Sequence, residues 1–311
     1  RIAEKAEAMY GAVINPDTEV TITSGASEAL FSAITAFVRE NDEVIVFEPA
    51  YDCYEPAIKL SNGKPITITL KAPDYAIPWE DVKKMINGRT KMIILNTPHN
   101  PTGSVLSADD LEQLKRIVKG TDILIISDEV YEHMVYDNVQ HQSMLLYPSL
   151  KNRTILCYSF GKTFHATGWK VGYCIAPAHL TKEIRKIHQF IVFSVNAPVQ
   201  YALADYLADE SHYNYLPQFF QQKRDYFLEL IKDSNFTFSP SKGSYFQLLN
   251  YSNITDEKDT DFARRLTINN KVAAIPVSPF YNNNLDEKQL RFCFAKTNET
   301  LERAAERLCN L

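Results

Sequence analysis

Short runs of β-branched and aliphatic residues alternate with amphipathic stretches through the first two-thirds of the chain. EVTITS, DEVIVFE, PITITL, KMIILN, DILIIS, RTILCYS and VGYCIA each read as a strand, and several are apolar at odd and even positions alike. A strand that is apolar on both sides belongs in a parallel sheet covered by helices. Between these runs lie SEALFSAITAFVREN, DCYEPAIKLSNG, WEDVKKMING and SADDLEQLKRIVKG, the last opening on Ser107 as N-cap and closing on Gly120. The alternation predicts an α/β fold with a mostly parallel, doubly wound sheet flanked by helices.

The rhythm then changes. HLTKEIRKIHQFIVF, VQYALADYLADE and the long YNYLPQFFQQKRDYFLELIKDS read as successive helices. FTFSP, SYFQLLNY, VAAIPV and LRFCFA follow as strands, with DTDFARRLTINN and ETLERAAERLCNL as helices. This mixture predicts a smaller α+β C-terminal domain over residues 213–311, after a large domain over 1–212, with the long helix from about Tyr213 as the bridge. The opening RIAEKAEAMYG is already in helical rhythm, with Ile2, Ala6 and Met9 on one stripe and Gly11 as its stop. It starts on Arg1 with no capping residue before it, which suggests a chain that begins inside a helix.

Composition narrows the class of protein. The 311 residues carry a net charge of −5, with 45% hydrophobic and 23% charged residues, so no basic field invites nucleic acid. The five cysteines (Cys53, Cys157, Cys174, Cys293 and Cys309) are scattered, with no C-x-x-C pair. Neither a zinc site nor a disulfide framework is expected, and a reducing cytoplasm is the natural setting. No apolar run approaches the length of a membrane span.

Ligands of open α/β sheets bind beyond the carboxyl ends of the strands, so the residues after each run matter most. SGASEAL follows the first; the amides of Ala26 and Ser27 could hold a phosphate there, and the same residues also read as a plain N-cap at Ser27. PAYDCY follows the second, with Tyr51 placed to lie over a ring or simply to pack. TPHNPTG follows KMIILN as a rigid turn presenting Asn100. SDEVYE puts Asp128 where an apolar strand ends, so its charge needs a partner, either a protonated ring nitrogen or an arginine of the core. RTILCYS ends at Ser159, three residues before Lys162, within SFGKTFHATGWKVG. A lysine buried among small residues loses its water, and its neutral amine can condense with a carbonyl. Taken together these ends describe a planar, cationic ligand that bears a phosphate and a carbonyl. Pyridoxal 5′-phosphate, held as a Schiff base, meets that description.

SFGKTFHATGWKVG, NTPHNPTG, SDEVYE, SGASEAL and EPAYDCYEP, in the order the chain uses them, resemble the class I aminotransferases of PLP-dependent transferase fold type I. HQFIVFSVNAPVQ and LRFCFAKTNETL are most similar to the branch of methionine, glutamine–phenylpyruvate and kynurenine aminotransferases. The resemblance implies that Lys162 forms the Schiff base, and that Ser159 and Lys170 hold the phosphate with the amides at Ala26 and Ser27. It implies that Asp128 pairs with the pyridine nitrogen, Tyr131 and Asn100 bind the phenolic oxygen, and Tyr51 stacks on the ring. Arg291, expected on an edge strand, would grip the substrate carboxylate, as a guanidinium does through two parallel hydrogen bonds.

The implied activity is transfer of an amino group from an L-amino acid (methionine, aromatic or glutamine) to a 2-oxo acid, in two half-reactions. A PLP-dependent cysteine-conjugate β-lyase is the alternative for the same residues. A nicotinamide enzyme is excluded because no G-x-G-x-x-G follows the first strand. A cofactor-sensing regulator would bring a basic DNA-binding module, and none is present. The resemblance further implies a homodimer. It also implies a pocket-closing segment ahead of the first helix, which this chain does not carry and on which its activity would depend.

Overall fold

A computed structural model describes residues 1–311. All seven predicted runs of the first part form strands: β1 (Val20–Thr23), β2 (Glu43–Glu48), β3 (Lys64–Thr69), β4 (Thr90–Asn96), β5 (Leu124–Asp128), β6 (Thr154–Ser159) and β7 (Gly172–Ile175). They join into one sheet in the order β1-β7-β6-β5-β4-β2-β3. Pairs among β2 to β6 are parallel, while β7 runs antiparallel to both β6 and β1.

The two-sided apolarity of these strands has its outcome in two separate cores. Val44, Val46, Met92, Ile94, Ile126 and Ile155 point to one face, under the helices Ala26–Phe37 and Ala178–Ile191. Their neighbours Ile45, Phe47, Ile93, Leu95, Ile125 and Leu156 point to the other. Successive side chains of a strand alternate between faces, so a run with no polar position is what a sheet buried on both sides requires. The helix Ala108–Val118 starts as expected, with a capping box between Ser107 and Asp110, and ends before Gly120 at φ 74°. The first helix, Ile2–Tyr10, stops at Gly11 in the left-handed conformation.

Four expectations change. The helix after β1 begins at Ala26 with Gly25 as its N-cap, so Ser27 lies inside the first turn and is not the cap. The stretch FTFSP forms no strand and contributes only an isolated bridge from Thr237 to Asn250. The long helix from Tyr213 is two pieces, Ser211–Asn214 and Leu216–Leu230, the second starting with proline in its first turn, where the missing N–H is harmless. Finally, β8 (Phe246–Asn250), β9 (Ile275–Pro276) and β10 (Gln289–Cys293) form an antiparallel sheet in the order β8-β10-β9. Arg291 therefore stands on the central strand, between Leu248 and Ile275, and not on an edge.

Candidate active site

The ends of β1, β2, β4, β5 and β6 converge on one cavity of about 300 Å³. Ala26, Ser27, Tyr51, Asn100, Asp128, Tyr131, Ser159, Lys162, Lys170 and Arg291 all line it, so every candidate residue named from the sequence meets at one place. Parallel strands make this possible, because their carboxyl ends share one edge of the sheet.

One end of the cavity is a cradle of backbone. Gly25 has φ 76°, and a Cβ added there would lie 3.3 Å from the Lys170 ammonium. A bare residue thus leaves room for the first amides of the Ala26–Phe37 helix and for Lys170 to approach one group. Lys170 is itself in the left-handed conformation at φ 51°, which turns its chain back toward that helix. Gly172 allows the closest approach: a Cβ there would meet the Tyr158 carbonyl at 2.5 Å and the Ala26 nitrogen at 2.8 Å. Helix N-terminal amides beside a lysine make an anion site suited to phosphate.

At the centre, Asp128 closes β5. Its carboxylate is 3% exposed and accepts a 2.6 Å hydrogen bond from the Tyr54 hydroxyl and a 3.3 Å one from the Val130 amide. The core arginine considered as its partner is absent; Tyr54 takes that position. Burial pushes the Asp128 pKa up to about 6, against the opposing pull of the Tyr54 hydrogen bond. Lys162 sits on the short helix Phe160–Thr163 directly after β6, where Ser159 is the N-cap residue, and its Nζ lies 5.8 Å from the centroid of the Tyr245 ring. Tyr51, half-buried at the rim, approaches the Ser27 hydroxyl at 3.4 Å and meets the Tyr54 ring edge-on. Tyr131 is buried, with its ring held edge-to-face against Tyr245 and Phe246.

The opposite end is closed by β10. The Arg291 guanidinium donates to the Asn100 side-chain oxygen at 2.5 Å and lies 4.0 Å over the Phe246 ring and 5.1 Å from the Phe280 ring centroid. It makes no salt bridge, and burial lowers its pKa from the ordinary value. A guanidinium stays charged even so, which leaves its remaining donors open to an anion.

Two residues of this site carry no signal in the sequence reading. Tyr54 holds Asp128 from β2's side of the cavity, and its only sequence hint is its place three residues after Tyr51. Asn96 donates to the Asp128 carbonyl at 2.9 Å and accepts from the Asn100 amide at 2.8 Å, joining two candidate residues through one side chain. As the last residue of an apolar strand, it was legible only as a boundary.

The residues present fit pyridoxal 5′-phosphate. A buried carboxylate with no ion-pair partner suits a protonated ring nitrogen, the glycine cradle with Lys170 suits a phosphate, and Lys162 in the same cavity suits a carbonyl. Fold and site together define a pyridoxal-phosphate-dependent aminotransferase of fold type I. Residues 1–308 match the family Aminotransferase class I and II, and the chain belongs to it. It is 46% identical over 311 residues to the methionine aminotransferase of Escherichia coli (strain K12), covering 100% of this chain and 81% of that one. It is 36% identical over 330 residues to human kynurenine–oxoglutarate transaminase 3, covering 96% and 73%. A solved E. coli structure described as having a methionine aminotransferase function superposes with a TM-score of 0.98 at 46% identity, covering 100% of this chain and 82% of that one. The N-succinyldiaminopimelate aminotransferase of Mycobacterium tuberculosis superposes with a TM-score of 0.95 at 32% identity, covering 99% and 82%. Amino-group transfer therefore stands over the lyase alternative.

Proposed function

We propose that this aminotransferase takes its amino group from L-methionine, an aromatic amino acid or glutamine and passes it to a 2-oxo acid by ping-pong chemistry. The observation that carries the substrate class is the make-up of the cavity around Arg291. Its cations are Lys162, Lys170 and Arg291, and each has a task, so none remains to bind a second carboxylate on the substrate side chain. Phe246, Phe280, Leu30 and Val130 line the rest and favour apolar or weakly polar groups.

The residue roles follow. Arg291 binds the α-carboxylate of donor and acceptor alike, steadied by Asn100. Asp128 holds the ring nitrogen in its protonated form, with Tyr131 and Asn100 on the phenolic oxygen and Tyr51 against the ring. Ser159, Lys170 and the amides of Ala26 and Ser27 hold the phosphate. When bound, the cofactor supplies an electron sink for the charge released at the substrate Cα. Lys162 anchors it, then serves as base and acid, taking the proton from Cα and returning it on the other side of the transfer. Residues 1–212 act as the cofactor domain and 213–311 as the smaller domain. The protein works as a homodimer in the cytoplasm, a setting consistent with five free cysteines.

A donor screen against one fixed 2-oxo acid tests the substrate class. Methionine, aromatic amino acids or glutamine should give kcat/KM at least about tenfold above aspartate and glutamate, a difference of about 1.4 kcal/mol in transition-state binding. A preference for aspartate or glutamate would sink the reading.

A further inference from the structure

The strand that presents Arg291 is tied to the rest of the molecule by a second residue of the same face. Gln289 and Arg291 stand two apart on β10 and so project to the same side. Arg291 reaches Asn100, and Gln289 accepts a 2.5 Å hydrogen bond from the Tyr75 hydroxyl. Tyr75 belongs to the segment after β3 and has φ 52°, in the left-handed region. Its amide bonds back to the Lys71 carbonyl at 2.8 Å, closing a single helical turn. Glycine or asparagine ordinarily fills such a position, because a bulky side chain crowds the backbone there. An aromatic residue in this conformation, only 6% exposed, is a costly local choice that the surrounding structure must enforce. Its effect is to aim one phenol at the strand bearing the guanidinium. Burial raises the phenol's pKa, so the hydroxyl remains a donor.

Carboxylate recognition by a guanidinium depends on angle, since the two hydrogen bonds must be parallel. β10 is a five-residue strand paired with β8 and β9, and from its one face Arg291 reaches Asn100 and Gln289 meets Tyr75, two contacts with the large domain that bear on its orientation. We propose that Tyr75 is a positioning residue for substrate recognition: through Gln289 it holds β10 at the angle that presents Arg291 to the carboxylate of incoming amino and 2-oxo acids. The inference rests on the reading of Arg291 as the carboxylate site. Tyr75 is not among the residues lining the catalytic cavity and acts only through the strand.

The test uses the holoenzyme and hydrocinnamate, an unreactive carboxylic acid without an amino group, titrated calorimetrically. Tyr75→Phe keeps the ring and removes the donor; Gln289→Met keeps the length and removes the acceptor. Each should weaken hydrocinnamate by about three- to tenfold, the range of one lost hydrogen bond. The double variant should lose no more than either single one, because both remove the same bond. KM for donor and acceptor should rise together with kcat little changed, and the visible spectrum of the bound cofactor should stay as in wild type. Arg291→Gln tests the underlying reading separately and should abolish hydrocinnamate binding. If Arg291→Gln binds hydrocinnamate like wild type, the carboxylate site lies elsewhere and the inference falls with it. If Arg291→Gln loses binding while Tyr75→Phe keeps wild-type affinity, or if the two single losses add in the double variant, Tyr75 is a packing residue and this inference alone is overturned. Should Tyr75→Phe fail to fold, Gln289→Met carries the same comparison from the other partner.

Discussion

Asp128 accepts hydrogen bonds only from the Tyr54 hydroxyl and one backbone amide, and it is nearly sealed from water. In the cofactor-free protein this raises its pKa from 3.8 to about 6. The sign for stability follows from proton counting. Between these two values the native state keeps a proton that the unfolded chain has released, so stability falls as pH rises through the window. Below about pH 4 nothing is lost; above about pH 7 the full penalty applies, roughly 3 kcal/mol at 1.36 kcal/mol per pKa unit. Asp128→Asn keeps an acceptor for Tyr54 and has no charge to bury. Urea unfolding of the cofactor-free proteins should therefore show variant and wild type alike near pH 4, with the variant more stable by a few kcal/mol near neutrality. A difference that does not change with pH would show that burial is not what holds the proton. With cofactor, the same variant should lose most turnover, for want of a carboxylate against the ring nitrogen. Asp128 was legible in the sequence because a carboxylate at the end of an apolar strand demands a partner. Tyr54 was not, because a tyrosine opening a short, ordinary helix looks the same whether its hydroxyl meets water or a buried acid.

The phosphate cradle belongs to the scale of elements, since it exists only where β1, the Ala26–Phe37 helix and the turn at Lys170 come together. Gly25, at φ 76° and ψ 169°, occupies a conformation open essentially to glycine alone, so Gly25→Ala would cost about 1–3 kcal/mol and push a methyl toward the Lys170 ammonium. Equilibrium dialysis should show cofactor affinity down by about tenfold or more. Gly168, two residues before Lys170 on the other side of the cradle, has no neighbour within 4 Å of an added Cβ, and Gly168→Ala should bind cofactor like wild type. Equal losses in both would mean that an added methyl harms the site wherever it falls and that Gly25 has no special geometry. The sequence could not separate these two glycines, because what matters is the approach of a distant chain. It did reveal the strands of the main sheet, where two-sided burial leaves a continuous apolar signature. It failed for FTFSP, whose alternation suits a strand but which has only one bridging partner in space. Placing Arg291 on an edge failed for a related reason: strand order is a tertiary fact, and nothing local marks a central strand in a sheet of three.

At the scale of the whole molecule, the surface around residues 190–206 is the least like a solvated face. Phe190 is 86% exposed, Phe193 76% and Tyr201 76%, with Ile191 and Tyr206 also open to solvent. Single exposed apolar residues are ordinary, but a run of aromatics along one segment marks a surface built to be covered. Val171, beside Lys170, lines both the catalytic cavity and an apolar groove with Ala197 and Tyr201, so this surface reaches the edge of the phosphate site. The occupant consistent with the proposed homodimer is a second copy of the chain, paired through this surface. Such an interface concentrates its energy in a few buried aromatics, each worth about 2 kcal/mol or more. Phe193→Asp combined with Tyr201→Asp would bury two charges without partners, and should convert the dimer to a monomer at micromolar concentration in sedimentation velocity. The same variant should retain the far-ultraviolet dichroism of the wild type, because neither side chain belongs to the two cores of the main sheet. Since the surface borders the phosphate site, cofactor affinity should fall with the loss of the dimer. A wild-type protein that sediments as a monomer at every concentration would overturn the assembly, and a variant that remains dimeric would place its interface on another face.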